Sequence, residues 1–462
     1  MIILFVHGWG VTNTSTYGEL PEALQRNTPA ELSLEVHHIY LGNYISFHDE
    51  VKIEDIARAF DKARKDTIGN NSFSCITHST GGPVIRVWVE MFYGAKKLKK
   101  LPLRHLIMLA PPNHGSALAQ LGKAKVGRIK AWFQGIEPGV NVLEWLELGS
   151  DDQRKLNIAW LNYDIAASKF YPFVITGDYI DKHLYDFLNS YTAESGSDGV
   201  VRVCATNLNY RYVRLNQDVH APPLTTQNND GSASVYPLVR DDKSYSRSPI
   251  CPIEVIPKAS HSGERYGIMN SVKKSSKKTL PVIKAIVDCL LVNSEKDYQN
   301  LVRKTKNRTV SAQGTKDKYT MIVFQVTDDR GNKITDYDMY LLAGKDYKPE
   351  KLPKGFFVDR QKNKVNRNQL TYYLNATKMQ SVKDGKFGIR IVARPGSGFA
   401  YYAPAEFRSD GLKAADLLRE NESLLVDIVL SRQVDQNTFK LRQFDPNDVN
   451  FKDEKPSGET VP

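Results

Sequence analysis

The chain has 462 residues, too many for one ordinary domain, and at 41% hydrophobic and 10% aromatic residues it can bury a sizeable core. No run approaches the roughly 18 uncharged apolar residues that a membrane-spanning helix needs, which excludes an integral helical membrane protein. A net charge of +11 favours anionic partners such as membrane headgroups or nucleic acid, and suits a merely soluble basic protein as well; of these an anionic membrane surface is the expected partner, and no nucleic acid is expected.

Ile2 to Val6 is a short apolar run without the basic start of a signal peptide before it. It breaks at His7-Gly8-Trp9-Gly10 and reads as a first strand, buried on both faces of a parallel sheet. The expected location is the cytoplasm, or export without a cleavable signal. Four scattered cysteines, with no C-x-x-C pair, read as buried thiols in a reducing compartment and not as zinc ligands. A helix is expected over Tyr17 to Arg26 and a strand over Leu34 to Tyr40. The spacing of Ile53, Ile56, Ala57, Phe60 and Ala63 predicts an amphipathic helix. A strand from Phe73 then leads to a turn at Ser79, and a helix begins near Pro83, where a missing N–H costs nothing. Leu106 to Leu109 is another strand, ending in Ala110-Pro111-Pro112-Asn113-His114-Gly115-Ser116. Strands alternating with helices predict an α/β fold built on a mostly parallel sheet flanked by helices.

Residues 117–161 mix apolar side chains with lysines and read as a helical cap, whose aromatics are either ordinary core or an acyl-chain surface. Phe173 to Thr176 and Gly199 to Val203 are further strands. Asn207 to Arg247 is polar and turn-rich and reads as a surface excursion. Ile253 to Ile256 is the last short strand, and Leu280 to Leu291 the closing helix. The first domain is therefore set at 1–293. The lysine-rich stretch 294–318 reads as a linker. Beyond it the apolar period becomes two, which predicts a mostly antiparallel, sandwich-like β domain over 319–434 that could take a protein partner. Residues 435–462 form a polar tail, expected to be disordered.

The stretch Ser74-Cys75-Ile76-Thr77-His78-Ser79-Thr80-Gly81-Gly82 is strand, tight turn and helix, with Ser79 at the apex. A serine there is pushed out of the sheet, and the next N–H, that of Thr80, sits at a helix N-terminus suited to an oxyanion. The usual pattern is G-x-S-x-G, and Thr77 stands where its first glycine would be. A nucleophilic serine needs a base, and the base needs a carboxylate to fix its tautomer. Ser79, Asp198 and His261 occur in the serine, acid, histidine order that such a sheet requires. Asp178 is the rival acid and His220 the rival base. His78 and His114 precede the acid and are ruled out by order, and His7 reads as support for its loop. No histidine and carboxylate spacing suits a catalytic metal, and no cofactor is implied.

These stretches together resemble the α/β-hydrolase lipases, including bacterial triacylglycerol lipases and related phospholipases and acyl-inositol deacylases. The resemblance covers about the first 290 residues. It rests on Phe5-Val6-His7-Gly8-Trp9-Gly10, Thr77 to Gly82, Leu109 to Ser116, Leu148-Gly149-Ser150 with Leu156-Asn157, and Ser197-Asp198-Gly199-Val200-Val201. It implies a lipid or other acyl-ester substrate and an oxyanion hole from the backbone amides of Thr80 and Trp9. A lipase motif set with no signal peptide and an extra C-terminal domain is also similar to lipase effectors of type VI secretion. A hydrolase of small acyl substrates and a non-catalytic interaction protein remain open beside the lipase reading. Since the three proposed site residues precede the linker, removal of the chain from about Arg303 is expected to leave an active esterase.

Overall fold

The computed structural model describes residues 1–7, 16–46, 48–121, 139–180, 194–225, 234–379, 381–382, 385–410 and 414–435. The first sheet takes up the continuous apolar runs: β1 (Ile2–His7), β2 (Glu35–Tyr40), β3 (Phe73–His78), β4 (Leu103–Leu109), β5 (Tyr171–Gly177) and β9 (Ile253–Ile256). All five pairings are parallel, in the order β2-β1-β3-β4-β5-β9. Every residue of β3 and β5 is buried, as expected of strands covered on both faces. The helix α1 (Leu20–Asn27) packs on the helix Pro281–Leu290, and α2 (Ile53–Ile68) packs on α3 (Gly81–Phe92). The predicted stripe of α2 is the buried one, and Phe60 meets Trp88 of α3 edge-on at 5.1 Å. This is the α/β-hydrolase fold.

The second sheet departs from the sequence reading. Its strands are β6 (Tyr210–Gln217), β7 (Tyr236–Arg240), β8 (Ser246–Arg247), β10 (Tyr319–Asp328), β11 (Tyr337–Ala343), β12 (Phe357–Lys362), β13 (Gln369–Asn375), β14 (Phe387–Ala393), β16 (Ala405–Arg408) and β17 (Ser423–Leu430). A separate pair joins β15 (Ala400–Tyr401) to β18 (Gln433–Val434). The order is β11-β14-β16-β7-β6-β17-β10-β13-β12, with β8 attached to β6. Most pairings are antiparallel, but β10–β17, β17–β6 and β16–β7 are parallel. The sheet folds over on itself, since Tyr372 of β13 donates to the carbonyl of Met339 in β11 at 2.7 Å.

The stretch 207–247 is thus no surface excursion, because β6, β7 and β8 are part of this sheet. Their polar side chains are matched by groups far along the chain. Gln217 donates to Ala403 O, and Arg211 donates to Asp416 O and Leu417 O. The stretch 294–318 is not an extended linker either. Glu295–Gln313 is a helix capped by Ser294, whose Oγ accepts from Asp297 N at 3.2 Å. Its lysines lie on the outer face, and Tyr298, Leu301, Thr305, Thr309 and Gln313 are buried. Thr309 Oγ1 accepts from Val255 N and donates to Ile253 O, fixing the helix to β9. One buried cluster runs from the first sheet to Tyr319, Met321, Val323, Tyr373 and Leu425 of the second.

In the expected cap, residues 122–138 lie outside the described residues, Trp132 and Phe133 among them. The helices Val140–Leu146 and Asp151–Trp160 are described, and their tryptophans Trp145 and Trp160 are buried in the core. The expected tail, from residue 436 on, also lies outside the described residues. No helix among the described residues is long and apolar enough to cross a membrane.

Candidate active site

β3 ends at His78 and α3 starts at Gly81, which leaves Ser79 on the turn with φ +52°. A positive φ is uncommon and costly for a residue with a Cβ, and such strain concentrates at functional turns. Ser79 N donates to Leu109 O at 2.9 Å, tying the turn to the end of β4. Why threonine is tolerated at position 77 is now visible. A Cβ on Gly81 would lie 3.3 Å from the Thr77 Cβ, so the glycine after the serine leaves the space that the threonine fills. Gly82 faces the end of β4 and the loop after it, where a Cβ would lie 3.3 Å from Met108 Cγ and 2.8 Å from the Pro111 Cβ.

The structure brings Ser79, His261 and Asp198 together. His261 Nε2 is 3.0 Å from Ser79 Oγ, and His261 Nδ1 is 2.9 Å from Asp198 Oδ2. The other carboxylate oxygen, Oδ1, accepts from Val200 N at 2.9 Å and from Val201 N at 2.8 Å. His261 N also donates to the backbone carbonyl of Asp198 at 2.9 Å. Both Asp198 and His261 are fully buried. The predicted strand Gly199 to Val203 is instead the return arm of the Asp198 loop, closed by a bridge between Ser197 and Arg202. Thr80 is the N-cap residue of α3, and Trp9 lies outside the described residues.

The rivals are elsewhere. Asp178 is ion-paired with Lys316, both carboxylate oxygens being 3.1 Å from Nζ. His220 is exposed, and its N–H donates to Asp218. His7 lies against His38 at 2.9 Å, and burial together with that neighbour lowers its pKa to about 3. His114 is buried beside Asn157, and burial and Arg86 lower its pKa to about 3.

Two supports were missed in the sequence. His78 Nε2 donates to the carbonyl of His261 at 3.0 Å, and its ring lies 4.7 Å from the His261 ring. Burial, then the neighbouring His261, lowers the His78 pKa to about 3, so this histidine stays neutral and holds the loop of the other. Ser116, from the Pro-Pro-Asn-His-Gly-Ser loop, donates to Val200 O at 2.6 Å and steadies the arm that feeds Asp198. The only sequence signal for His78 was its place beside Ser79, and for Ser116 its place in a motif. Among the described residues, no group of three or more His, Cys, Asp or Glu side chains could hold a metal ion.

A serine, a histidine and a carboxylate in this chain of hydrogen bonds can carry out nucleophilic acyl transfer. No family model matches the chain, and no match was found among curated proteins. Solved structures do match. The phospholipase PlaB from Legionella pneumophila is 43% identical, with a TM-score of 0.86, and 96% of each chain is covered. The same phospholipase in complex with thio-NAD matches at 41% identity and a TM-score of 0.85, again over 96% of each chain. At that identity over nearly the whole of both chains, second sheet included, this chain belongs to the family of the phospholipase PlaB.

Proposed function

We propose that the chain is a serine hydrolase that cleaves acyl esters of phospholipids through an acyl-enzyme. The observation that carries the reading is the unbroken hydrogen-bond chain from Ser79 through His261 to Asp198 on a strained turn. Membership of the PlaB family supports the substrate class. In this reading Ser79 Oγ attacks the ester carbonyl carbon as His261 Nε2 takes its proton. The backbone amides of Thr80 and Trp9 hold the oxyanion. The tetrahedral intermediate collapses, and His261 gives the proton to the departing alcohol oxygen. Water, activated by the same histidine, then releases the fatty acid. Asp198 fixes the tautomer and stabilises the imidazolium.

The test is hydrolysis of phospholipid vesicles and of a soluble short-chain ester, with fluorophosphonate labelling of the same protein. Labelling and both activities are expected in the wild-type chain and none of them in Ser79→Ala. Turnover retained by a folded Ser79→Ala protein overturns the mechanism, and labelling without vesicle hydrolysis overturns the substrate class.

A further inference from the structure

The loop that holds Asp198 runs from Glu194 to Arg202, and both of its arms rest on the second sheet. On the outgoing arm, Tyr373 Oη of β13 donates to Ser195 O at 2.7 Å. Gly196 follows with φ +77°, and a Cβ there would lie 2.4 Å from Tyr319 Cδ2 and 2.6 Å from Tyr373 Oη. Its backbone thus lies against two stacked tyrosine rings, 5.0 Å apart, from β10 and β13. On the return arm, Arg202 forks onto Glu194, with Nε 2.7 Å from Oε2 and Nη2 2.8 Å from Oε1. Nη2 also donates to Asp359 of β12, and the guanidinium lies 4.1 Å above the Tyr373 ring. Asp359 is held in turn by Gln361 at 2.9 Å.

This arrangement reaches Asp198 through a few backbone bonds. Arg202 pairs with Ser197 across the loop, Val203 N donates to Gly196 O, and Asp198 N donates to Val201 O. The N–H groups of Val200 and Val201, just before Arg202, are the ones that hold the Asp198 carboxylate. A small displacement of the Arg202 head therefore moves the donors that aim Asp198 at His261. Planar, bidentate guanidinium pairing suits the role, because it fixes orientation as well as distance.

We propose that Arg202 is a positioning residue for the Ser79–His261–Asp198 site, anchored by Asp359 and Tyr373, so that the second sheet sets the geometry of the acid loop. The proposal rests on Asp198 being the acid of that site. Asp359 and Tyr373 would act on turnover without any contact to the reacting groups.

The experiment uses Asp359→Asn and Tyr373→Phe in the full chain, each made alone and in an Asp198→Ala background. Asp359→Asn removes the charge that pairs with Arg202, and Tyr373→Phe removes the hydrogen bond to Ser195 O on the other arm of the loop; both keep the side-chain shape. In the otherwise wild-type chain, kcat on a soluble ester is expected to fall roughly tenfold with KM unchanged. In the Asp198→Ala background the same substitutions are expected to change the residual rate by less than about twofold, since their route of action is gone. Arg202→Lys, which keeps the charge and loses the fork to Glu194 and Asp359, is expected to lose kcat at least as strongly as Asp359→Asn, and wild-type kcat in this variant also overturns the proposal. A kcat within twofold of wild type in both anchor variants overturns the proposal. So does a tenfold loss that persists without Asp198, which marks a purely structural role. Wild-type turnover in Asp198→Ala alone overturns the acid assignment itself, and that failure is read from the background before any anchor is altered.

Discussion

Asp198→Asn separates the chemistry of the site from its architecture. In the native chain, Oδ1 accepts from Val200 N and Val201 N, and Oδ2 faces His261 Nδ1 at 2.9 Å. An asparagine cannot present its NH2 group to two backbone donors, so its carbonyl oxygen must accept from them in the place of Oδ1 and its NH2 must face His261. His261 Nδ1 then has to accept, which puts the ring proton on Nε2, the nitrogen 3.0 Å from Ser79 Oγ. In that tautomer the histidine cannot take the proton of the serine. The expected loss is about 10⁴ in kcat, equivalent to about 5 kcal/mol of transition-state stabilisation. The loop keeps its hydrogen bonds, so the melting temperature should stay within a few degrees of wild type. Turnover of a soluble short-chain ester and a thermal melt of the same preparation make the measurement. A loss under tenfold refutes the reasoning. Asp178→Asn, at a carboxylate already taken up by Lys316, should leave turnover unchanged, and the reverse pattern for the two variants would move the acid to Asp178.

Ser79→Ala should abolish hydrolysis and leave the melting curve in place, since the side chain contributes little to packing; residual turnover by a folded protein contradicts this. Gly82→Ala should cost about 1–3 kcal/mol in denaturant unfolding and lower kcat, because its Cβ would come within 2.8 Å of the Pro111 Cβ and push α3 off β4. The protein should lose stability as pH falls below 6.5. Burial lowers His7, His78 and His114 to about 3 and His105 to about 4, so the unfolded chain binds more protons than the folded one between the ordinary value of 6.5 and those values. At pH 5.5 each of the four costs about 1.4 kcal/mol relative to pH 7.5, and Glu254, raised to about 7 by burial, offsets about 2 kcal/mol of the total because the folded chain binds its proton first; the histidines still outweigh it, and an unchanged urea midpoint between pH 7.5 and 5.5 refutes the assignment. Ending the chain before Arg303 should give insoluble or inactive protein, read as soluble yield and ester turnover; a soluble, active product refutes the dependence of the first sheet on the second.

What the sequence revealed was local. The turn at Ser79 could be read because the strand before it, the glycines after it and the helix start all lie within ten residues. The threonine at 77 looked like a defect. Its explanation, the empty side of Gly81, is a contact four residues away that the pattern G-x-S-x-G states only from the glycine's side. Chain order pointed to Asp198 and His261, which lie beside Ser79 in the fold, although the strand expected after Asp198 does not form: the amides of Val200 and Val201 turn inward to the carboxylate and are not free for a ladder. His78 was set aside by the same order rule, and its hold on His261 O depends on a proximity across 183 residues.

The second sheet shows where such reading stops. Its period-two strands after residue 319 were visible, but β6, with the pattern Tyr-Arg-Tyr-Val-Arg-Leu-Asn-Gln, was not. Its polar residues suggested solvent, and in the fold the partners that satisfy them lie more than 180 residues further on. The lysine-rich stretch before β10 misled for a related reason. Lysines space themselves on the outer face of Glu295–Gln313, while its buried face carries two threonines and a glutamine that hydropathy does not count as core. Both errors placed a boundary where the chain has none. The strands β6 to β8 enter the second sheet, β9 returns to the first, and His261 follows β9 directly. The strands of the second sheet are therefore threaded between the parts of the site and not appended after it. The loop of Asp198 precedes β6, and the side chains that hold it, Tyr319, Asp359 and Tyr373, come after the helix once read as a linker.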